Sequence, residues 1–320
     1  MKAAVRTTYG PPEVVRVADV PMPEPGRDEL LVHVRATTVN RTDRGYRAGK
    51  PFIIRFFSGF IRPKAQVLGT EFAGTVEAVG DNVTSFAPGD LVFGYNERTF
   101  GAHAQYMTIP QDGSVATIPS GLTSVQAAPS FEGSHYALAG LRAAKVRAGS
   151  DVFIYGATGA IGSAAVQLAK CFGATVTAVC RGEHATLVQG LGADRVIDYE
   201  SEDFTAHGET YDVVFDAVGK TSFARCKPLV RPGGVFLATD FGPFPWNPLL
   251  ALTTRIGGSR KVLFPLPKDN QQVVKYLRDR IETREFQPVI DRTYPIEDIV
   301  EAYRYVDTEQ KVGSVVITTT

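Results

Sequence analysis

The chain has 320 residues, of which 44% are hydrophobic, and its formal net charge at pH 7 is zero. This length and composition predict a globular protein with a large core and two domains rather than one. The neutral charge gives no general electrostatic attraction to nucleic acid or to an acidic partner, so we expect neither.

Cysteine usage and the N-terminus bear on the compartment. Cys171, Cys180 and Cys226 are odd in number and lack metal-ligand spacing, which argues against a disulfide framework and against a zinc cluster. The N-terminal sequence contains no apolar signal-peptide core, and the apolar-rich run 52–61 is interrupted by Arg55. We therefore expect no signal peptide, no membrane span and a reducing cytoplasm.

The first 120 residues predict a barrel-like β domain, because short β-rich runs are separated by Pro and Gly with little helical periodicity. The predicted strands cover residues 2–6, 13–17, 29–38, 71–79, 91–93 and 104–109. Residues 80–90 form a turn region between two of these strands.

The segment Arg41–Lys64 of this domain combines positive charge with aromatic rings, since it holds seven basic residues against Asp43 alone. One interpretation is a positively rimmed apolar lid over a substrate cleft, suited to a lipophilic or anionic ligand. Its predicted substrate-lining residues are Phe52, Phe56 and Phe57. The alternative is a satellite core with a solvated Arg rim, and nucleic-acid binding is improbable on a neutral protein.

Residues 151–173, DVFIYGATGAIGSAAVQLAKCFG, predict a buried strand, a glycine turn and a core helix that ends at Gly173. Bare backbone at such a turn lets a pyrophosphate approach N–H groups at the positive end of the helix dipole. The strict fingerprint needs glycine where Ala157 stands, and a packed turn without a ligand is the alternative. The predicted cradle residues are Gly156, Thr158, Gly159, Ala160, Ile161 and Gly162.

Strand and helix signals alternate around this turn, which predicts a parallel sheet covered on both faces. An interrupted helix precedes it over 121–145. The predicted strands that follow are 175–180, 195–198, 213–216 and 234–239, and the predicted helices are 183–191 and 221–229. Helices at 270–283 and 296–307 and a strand at 313–318 complete the chain.

The residue after the predicted strand 175–180 indicates which nicotinamide cofactor binds. A carboxylate there would bind the ribose 2′-hydroxyl of NAD, whereas a basic side chain suits the 2′-phosphate of NADP. Arg181 occupies the position and His184 could add a second donor, so the sequence favours NADPH. The alternative is that both are ordinary solvated loop residues.

Several motifs together resemble the medium-chain dehydrogenase/reductase superfamily, in its zinc-independent quinone oxidoreductase-like (zeta-crystallin-like) group. The resemblance runs essentially end to end. It rests on NRTD (40–43), LGTEFAGTVEAVG (68–80), GAHAQY (101–106), IYGATGAIGSAAVQLAK (154–170), LGADRVIDY (191–199), VFDAVG (214–219) and RYVDTEQKVGSVVI (304–317).

The resemblance implies an α/β fold in which a Rossmann dinucleotide-binding domain, 121–255, is inserted into a GroES-like β-barrel catalytic domain, 1–120. The segment 256–320 would return to the catalytic domain, and the protein would be a homodimer. The resemblance also places Asn40 near the nicotinamide and Tyr199 near the 2′-phosphate. The other residues that it places at the cofactor are Ala217, Val218, Thr239, Phe241 and the C-terminal Lys311.

Zinc alcohol dehydrogenases of this superfamily use a Cys and a Gly-His-Glu segment as catalytic ligands and carry a four-cysteine lobe. Here Asn40 stands near the Cys position, Gly69-Thr70-Glu71 replaces Gly-His-Glu, and the lobe is missing. We therefore expect no metal site. The expected activity is hydride transfer from NADPH to an acceptor activated by its own electronics, a quinone or an α,β-unsaturated carbonyl.

Tyr46 is the side chain that we nominate as a proton donor to the developing product; the alternative is a packing role for Tyr46, with water as the donor. Asp43 is expected to orient Asn40 or to pair with Arg41 or Arg44 rather than to act as an acid. The rival functions are an enoyl-thioester reductase and a non-catalytic NADPH-binding redox sensor or structural protein. Tyr46 and Lys50 also match the Tyr/Lys pair of short-chain dehydrogenases, but they precede the glycine motif, which is the wrong order.

Overall fold

The computed structural model describes residues 1–241, 246–257, 259–268 and 270–319. Its strands are β1 (Lys2–Val5), β2 (Arg16–Asp19), β3 (Glu29–Val39), β4 (Glu71–Val79), β5 (Leu91–Tyr95), β6 (Tyr106–Pro110), β7 (Ser114–Thr117), β8 (Asp151–Tyr155), β9 (Thr175–Cys180), β10 (Arg195–Asp198), β11 (Tyr211–Asp216), β12 (Val230–Ala238), β13 (Lys261–Leu263), β14 (Ile290–Pro295) and β15 (Ser314–Thr318).

The α-helices are α1 (Arg41–Ala48), α2 (Ile54–Ser58), α3 (Ser124–Ala127), α4 (Glu132–Ala143), α5 (Ala160–Cys171), α6 (Ala185–Gly190), α7 (Phe223–Cys226), α8 (Trp246–Gly257), α9 (Gln271–Glu282) and α10 (Ile299–Asp307). Short 3-10 turns at Pro12–Val14, Ala128–Ser130, Gly182–His184, Lys227–Leu229 and Ile296–Asp298 adjoin them. None of these helices has the length and apolar character that a membrane span requires, within the described part of the chain.

The chain divides into two compact units. The first contains Met1–Glu132, Asp269–Arg284 and Pro288–Thr320, and the second contains Gly133–Lys268 and Glu285–Gln287. The predicted boundaries after residues 120 and 255 therefore differ from the observed division. The physical reason at the second boundary is that β13 pairs in parallel with β12, which keeps residues 261–263 in the second unit.

The first unit is built on a seven-stranded sheet in the order β14-β15-β3-β4-β5-β7, with β6 paired to β3. All its pairs are antiparallel except β14 with β15. A two-stranded sheet, β1-β2, completes the unit. Alternation along β3 and β4 buries one set of side chains in a core that includes Leu30, Val32, Phe72 and Val76.

The second unit contains a six-stranded, all-parallel sheet in the order β10-β9-β8-β11-β12-β13. Its strands are apolar runs because a parallel sheet is covered on both faces. Phe153, Val179, Val214 and Phe236 are fully or almost fully buried in its core. The carboxyl ends of β8, β9 and β11 lie side by side at one edge, which is where such sheets bind ligands.

Two predicted elements need correction. The expected strand over 13–17 begins as a 3-10 turn, because Pro11 and Pro12 cannot supply ladder N–H groups, and β2 starts only at Arg16. The expected helix over 221–229 is a four-residue helix followed by a 3-10 turn that starts at Lys227. The interruption expected in the helix over 121–145 is confirmed at the 3-10 turn that contains Pro129.

Candidate functional site

The glycine turn after β8 has no room for a side chain at Gly156 or at Gly162. Gly156 has a φ of +81°, and a Cβ on it would lie 2.5 Å from Cγ1 of Val218. A Cβ on Gly162 would overlap the carbonyl oxygen of Gly156, so the start of α5 packs directly against the turn. Gly159 is the N-cap of α5 and offers no side-chain acceptor to the first-turn N–H groups. These free donors at the dipole's positive end fit a pyrophosphate group.

Asp216, at the end of β11, shapes the neighbouring turn. Its carboxylate accepts the backbone N–H groups of Val218 at 3.2 Å, Gly219 at 2.8 Å and Thr221 at 3.2 Å. Burial raises the pKa of this carboxyl, and the three hydrogen bonds act in the opposite direction. The hydroxyl of Thr239 donates to the carbonyl oxygen of Asp216 at 3.2 Å. Asp216 therefore holds Val218 against the glycine turn.

The predicted residues Ala217, Val218 and Thr239 thus lie together where β11 and β12 end, beside the turn after β8. Ala217 is 3% exposed. Phe241 packs on Phe264 with ring centroids 5.2 Å apart. Residues 242–245, which follow, lie outside the described part of the chain.

Arg181 follows β9 and lies on the surface of the second unit. Its Nε is 3.0 Å from the hydroxyl oxygen of Tyr199 and 3.2 Å from Oε1 of Glu200. Glu183 approaches its Nη1 at 3.8 Å and also lies 3.5 Å from Nε2 of His184. The structure therefore brings Arg181, Tyr199 and His184 together, as predicted, but adds two carboxylates that the sequence analysis did not consider.

Asn40 begins α1 in the first unit and is almost fully buried. Its Oδ1 accepts the N–H of Asp43 at 3.0 Å, and Oδ2 of Asp43 accepts the N–H of Asn40 at 3.3 Å, a reciprocal capping box. Asn40 Nδ2 donates to the hydroxyls of Thr70 at 2.7 Å and Thr38 at 3.3 Å. These hydrogen bonds join Asp43 to Asn40, which is the contact that one of the expected roles for Asp43 requires. Arg44 instead pairs with Asp307 and Glu309.

Glu71, one residue after Thr70, is a buried carboxylate whose oxygens both accept hydrogen bonds. Oε1 accepts the N–H groups of Phe131 at 2.9 Å and Glu132 at 2.7 Å, and Oε2 accepts from Thr38 Oγ1 at 2.6 Å. Burial raises its pKa, while these donors lower it. The residues at the sequence positions of zinc ligands are therefore linked through Thr38 in one hydrogen-bond network.

His103 joins this network through the backbone of Thr38 and is almost fully buried. Its Nε2 is 2.7 Å from the carbonyl oxygen of Thr38, which can only accept, so Nε2 carries the hydrogen. Nδ1 is then the acceptor for the hydroxyl of Tyr303 at 3.4 Å. Burial lowers the pKa of His103 to about 4, which keeps the ring neutral although Asp43 Oδ2 is 3.7 Å from Nε2. Burial raises the pKa of Asp43 well above its usual value.

Glu132 and Lys311 are two further charged groups of the first unit, of which Glu132 is buried and Lys311 is partly exposed. Burial and the charge of Glu71 raise the pKa of Glu132 to about 7, against the opposing influence of Lys311. The hydroxyl of Thr42 donates to Glu132 Oε1 at 3.2 Å. Burial lowers the pKa of Lys311, whose Nζ donates to the carbonyl of Gly313 at 2.6 Å.

Tyr46 lies on α1, half-buried, with its ring edge-on to Phe100 at a centroid distance of 4.7 Å. Its hydroxyl donates to Glu97 Oε1 at 3.3 Å, and the hydroxyl of Tyr95 donates to Oε2 of the same carboxylate at 2.9 Å. Burial and the Glu97 charge raise the pKa of Tyr46 to about 12. The phenol therefore stays protonated at neutral pH.

The aromatic residues of α2 and its flanks are not a satellite core. Phe52, Phe56 and Phe57 are 55%, 64% and 74% exposed. That alternative for the segment is wrong, because these rings face solvent on the described surface. Their predicted contact with a substrate is not tested by this arrangement.

The roles of Glu132, His103, Tyr303, Asp216 and Glu97 were not predicted from the sequence. Two of these residues, His103 and Asp216, stand inside the motifs quoted above, but nothing in a motif shows which side chain is buried. Among the described residues, no cluster of three or more His, Cys, Asp or Glu side chains has an arrangement that could hold a metal ion.

Two family models match the chain. One, described as the alcohol dehydrogenase GroES-like domain, covers residues 26–120, and the other, described as zinc-binding dehydrogenase, covers residues 191–317. Together they cover parts of both compact units.

Curated relatives match over nearly the whole chain. A quinone oxidoreductase of Sus scrofa is 30% identical over 95% of this chain and 93% of its own length. A chloroplastic NADPH-dependent alkenal/one oxidoreductase of Arabidopsis thaliana is 29% identical over 99% of this chain and 79% of its own length. The solved structure of a quinone oxidoreductase from Coxiella burnetii matches with a TM-score of 0.89 and 26% identity, covering 100% of this chain and 99% of that one.

Proposed function

Because the chain belongs to the medium-chain dehydrogenase/reductase superfamily, we propose that it is an NADPH-dependent reductase of quinones or α,β-unsaturated carbonyls that needs no metal. The observation that carries the proposal is the glycine turn beside Val218: a Cβ at Gly156 or Gly162 would clash with the chain itself, and Gly159 leaves the first-turn N–H groups of α5 without a side-chain cap. Relatives that act on quinones and on alkenals or enones support the substrate class.

In this proposal the pyrophosphate is held by backbone N–H groups of the turn and of the first turn of α5. The cradle is formed by Gly156, Thr158, Gly159, Ala160, Ile161 and Gly162, flanked by Ala217, Val218, Thr239 and Phe241. When bound, the reduced nicotinamide supplies a hydride to the acceptor. Lys311 is assigned to the cofactor only by resemblance, since its Nζ donates to Gly313 in the structure.

We propose that Arg181, with Tyr199 and His184 beside it, binds the 2′-phosphate and so gives the preference for NADPH. The ion pairs of Arg181 with Glu183 and Glu200 are exposed and contribute little, so a 2′-phosphate can replace them. The same two carboxylates oppose a phosphate by their charge, which makes NADH the alternative cofactor. The name of the Arabidopsis relative supports NADPH.

We assign Asn40 and Asp43 a positioning role and Tyr46 the role of proton donor. The amide of Asn40 donates to Thr70 and Thr38 and its Oδ1 accepts from Asp43, so these groups fix the start of α1. Tyr46 lies on that helix and its phenol is protonated at neutral pH, but its pKa of about 12 makes it a weaker acid than an ordinary tyrosine, so water is the alternative donor. The homodimer, the cytoplasmic location and substrate contacts of Phe52, Phe56 and Phe57 remain proposals from the sequence.

Metal independence is proposed from the donor set. The residues at the zinc-ligand positions present the Asn40 amide and the Thr70 hydroxyl, which hydrogen-bond to each other at 2.7 Å, and the Glu71 carboxylate, whose two oxygens already accept hydrogen bonds from the chain. Zinc prefers thiolate, imidazole and carboxylate ligands in tetrahedral sites. The acceptor must therefore be activated by its own electronics.

An enoyl-thioester reductase is the second candidate, because the exposed cations Lys50, Arg62 and Lys64 would suit an anionic acyl thioester. The test is NADPH and NADH oxidation at 340 nm with quinones, enones and enoyl thioesters. We expect turnover with quinones or enones. Turnover confined to thioesters would support the second candidate, and tight NADPH binding without any turnover would leave a non-catalytic binding protein.

A further inference from the structure

The first unit exposes a cluster of large apolar side chains, which we call the aromatic patch. Its exposed members are Phe52 (55%), Ile53 (49%), Phe56 (64%), Phe57 (74%), Phe60 (57%) and Ile61 (81%). The rings of Phe52, Phe56 and Phe60 contact one another edge to face, with centroids 5.6–5.9 Å apart. Globular proteins rarely expose contiguous apolar patches unless a partner covers them. We therefore interpret this patch as an interaction surface.

The patch has a fixed shape. The hydroxyl oxygen of Tyr9 lies 2.7 Å from Ser58 Oγ and donates to the carbonyl of Gly59 at 2.6 Å. The guanidinium of Arg55 lies 4.7 Å from the centroid of the Tyr9 ring. These contacts join α2 to the N-terminal segment, so the patch is presented without further folding.

Positive charge flanks the patch in the sequence, and no acidic residue lies nearby in the chain. No Asp or Glu occurs between Asp43 and Glu71. Lys50, Arg62 and Lys64 are exposed, and none of the three is ion-paired within the part of the chain that the structure describes. Arg47, by contrast, is buried and pairs with Asp307 at 2.7 Å. The exposed cations are therefore available to an anionic partner.

We infer that the aromatic patch docks on the surface of an anionic lipid bilayer. Aromatic and aliphatic side chains can enter the boundary between headgroups and acyl chains, while Lys and Arg remain among the anionic headgroups. The protein would lie on the membrane without crossing it. Because Phe52, Phe56 and Phe57 are also the proposed substrate contacts, vesicle binding is measured without substrate or cofactor, so that this inference and the proposed function can fail separately.

Two other occupants fit the patch less well. A second copy across a two-fold axis would bring the same cations of both copies together, and the segment 44–70 supplies no acid to neutralise them. Single-stranded nucleic acid would need free ring faces, but three of the rings pack against one another, and Ile53 and Ile61 have no ring to stack on.

The test is sedimentation of the full chain with vesicles of phosphatidylcholine, alone or mixed with phosphatidylglycerol. We expect binding to the mixed vesicles that weakens as salt is raised. The double variants Ile53→Ser/Ile61→Ser and Arg62→Gln/Lys64→Gln should each reduce the vesicle partition coefficient about tenfold or more. Leu266→Ser, at a 73% exposed position in the second unit, is the matched control and should bind like the unmodified chain.

Circular dichroism and thermal unfolding of each variant will show that it is folded. Absence of binding to the mixed vesicles, or equal binding by the double variants and the unmodified chain, would overturn the inference. So would conversion of a dimer to a monomer by Ile53→Ser/Ile61→Ser in size-exclusion chromatography, because a second copy would then be the occupant. Tighter binding to a fluorescent single-stranded oligonucleotide than to the vesicles, lost in the same variants, would assign the patch to nucleic acid instead.

Discussion

We propose that the choice between NADPH and NADH depends on Arg181. Its guanidinium is held by Tyr199 and faces two exposed carboxylates that a phosphate can replace. Arg181→Ala should weaken NADPH binding about tenfold or more and leave NADH binding nearly unchanged, because only NADPH carries the 2′-phosphate. The measurement is the dissociation constant of each cofactor by fluorescence titration.

Arg195→Ala is the control for this change, since Arg195 lies on the neighbouring strand β10 and pairs with Glu209 at 2.6 Å. It should affect neither cofactor. An equal loss of NADPH and NADH affinity in Arg181→Ala would refute the proposed contact with the 2′-phosphate.

Tyr46 and Tyr95 donate to the same Glu97 carboxylate but differ in burial, because Tyr95 is 1% exposed and Tyr46 is half-buried. If Tyr46 is the proton donor, Tyr46→Phe should lower kcat about a hundredfold with little change in KM. Tyr95→Phe removes the other hydrogen bond to Glu97 and should leave kcat unchanged. Full activity in Tyr46→Phe would show that water protonates the product.

Glu132 should make the stability of the protein depend on pH. Its pKa is about 7 in the folded chain, against an ordinary value of 4.5, so the folded state binds more protons between these values. Stability should therefore fall as pH rises from 4.5 to 7, by about 3 kcal/mol in total, and level off above that.

Glu132→Gln cannot ionise, so its stability should lack this part of the decline. Urea unfolding at pH 5 and pH 8 measures the difference, and the exposed Glu77→Gln is the control that should behave like the unmodified chain. The same pH dependence in Glu132→Gln and the unmodified chain would contradict the assignment.

At the scale of elements, the turn between β8 and α5 depends on glycine for two separate reasons. Gly156 and Gly149 both have a φ of +81°, but a Cβ on Gly156 would meet Val218 at 2.5 Å, whereas a Cβ on Gly149 would meet nothing within 4 Å. Gly156→Ala and Gly149→Ala should both lose roughly 1 kcal/mol of stability from backbone strain. Only Gly156→Ala should also weaken NADPH binding, by about tenfold or more, because its turn must move.

Chemical denaturation and cofactor titration of the two variants separate these effects. Equal NADPH affinity in Gly156→Ala and Gly149→Ala would mean that the turn is not the cofactor cradle.

The same elements show how far sequence can predict this fold. The β8 turn and α5 could be predicted because glycine spacing and apolar periodicity are local signals. The strands β7, β13 and β14 were missed. The first two have only four and three residues, and all three are defined mainly by the strands that they pair with. Burial could not be predicted at Phe56 either. A run of aromatic residues in a sequence does not distinguish a buried core from an exposed patch.

Across the whole molecule, the polar network of the first unit is the part that sequence could not predict. Asn40, Glu71 and His103 lie 31 and 32 positions apart in sequence and meet only because β3 and β4 pair and the chain returns over them. The family resemblance identified the motifs in which these three residues stand. The structure supplied the hydrogen bonds, which link Asn40 to Thr70 and Thr38, and Thr38 to Glu71 and His103.

The central claim is that NADPH reduces an electronically activated acceptor here without a metal. The most direct test is the initial rate of NADPH oxidation at 340 nm, with a quinone and with an enone, before and after exhaustive chelation and removal of the chelator. We predict the same acceptor-dependent rate in both samples. A rate that is lost on chelation and restored by added zinc would contradict the claim.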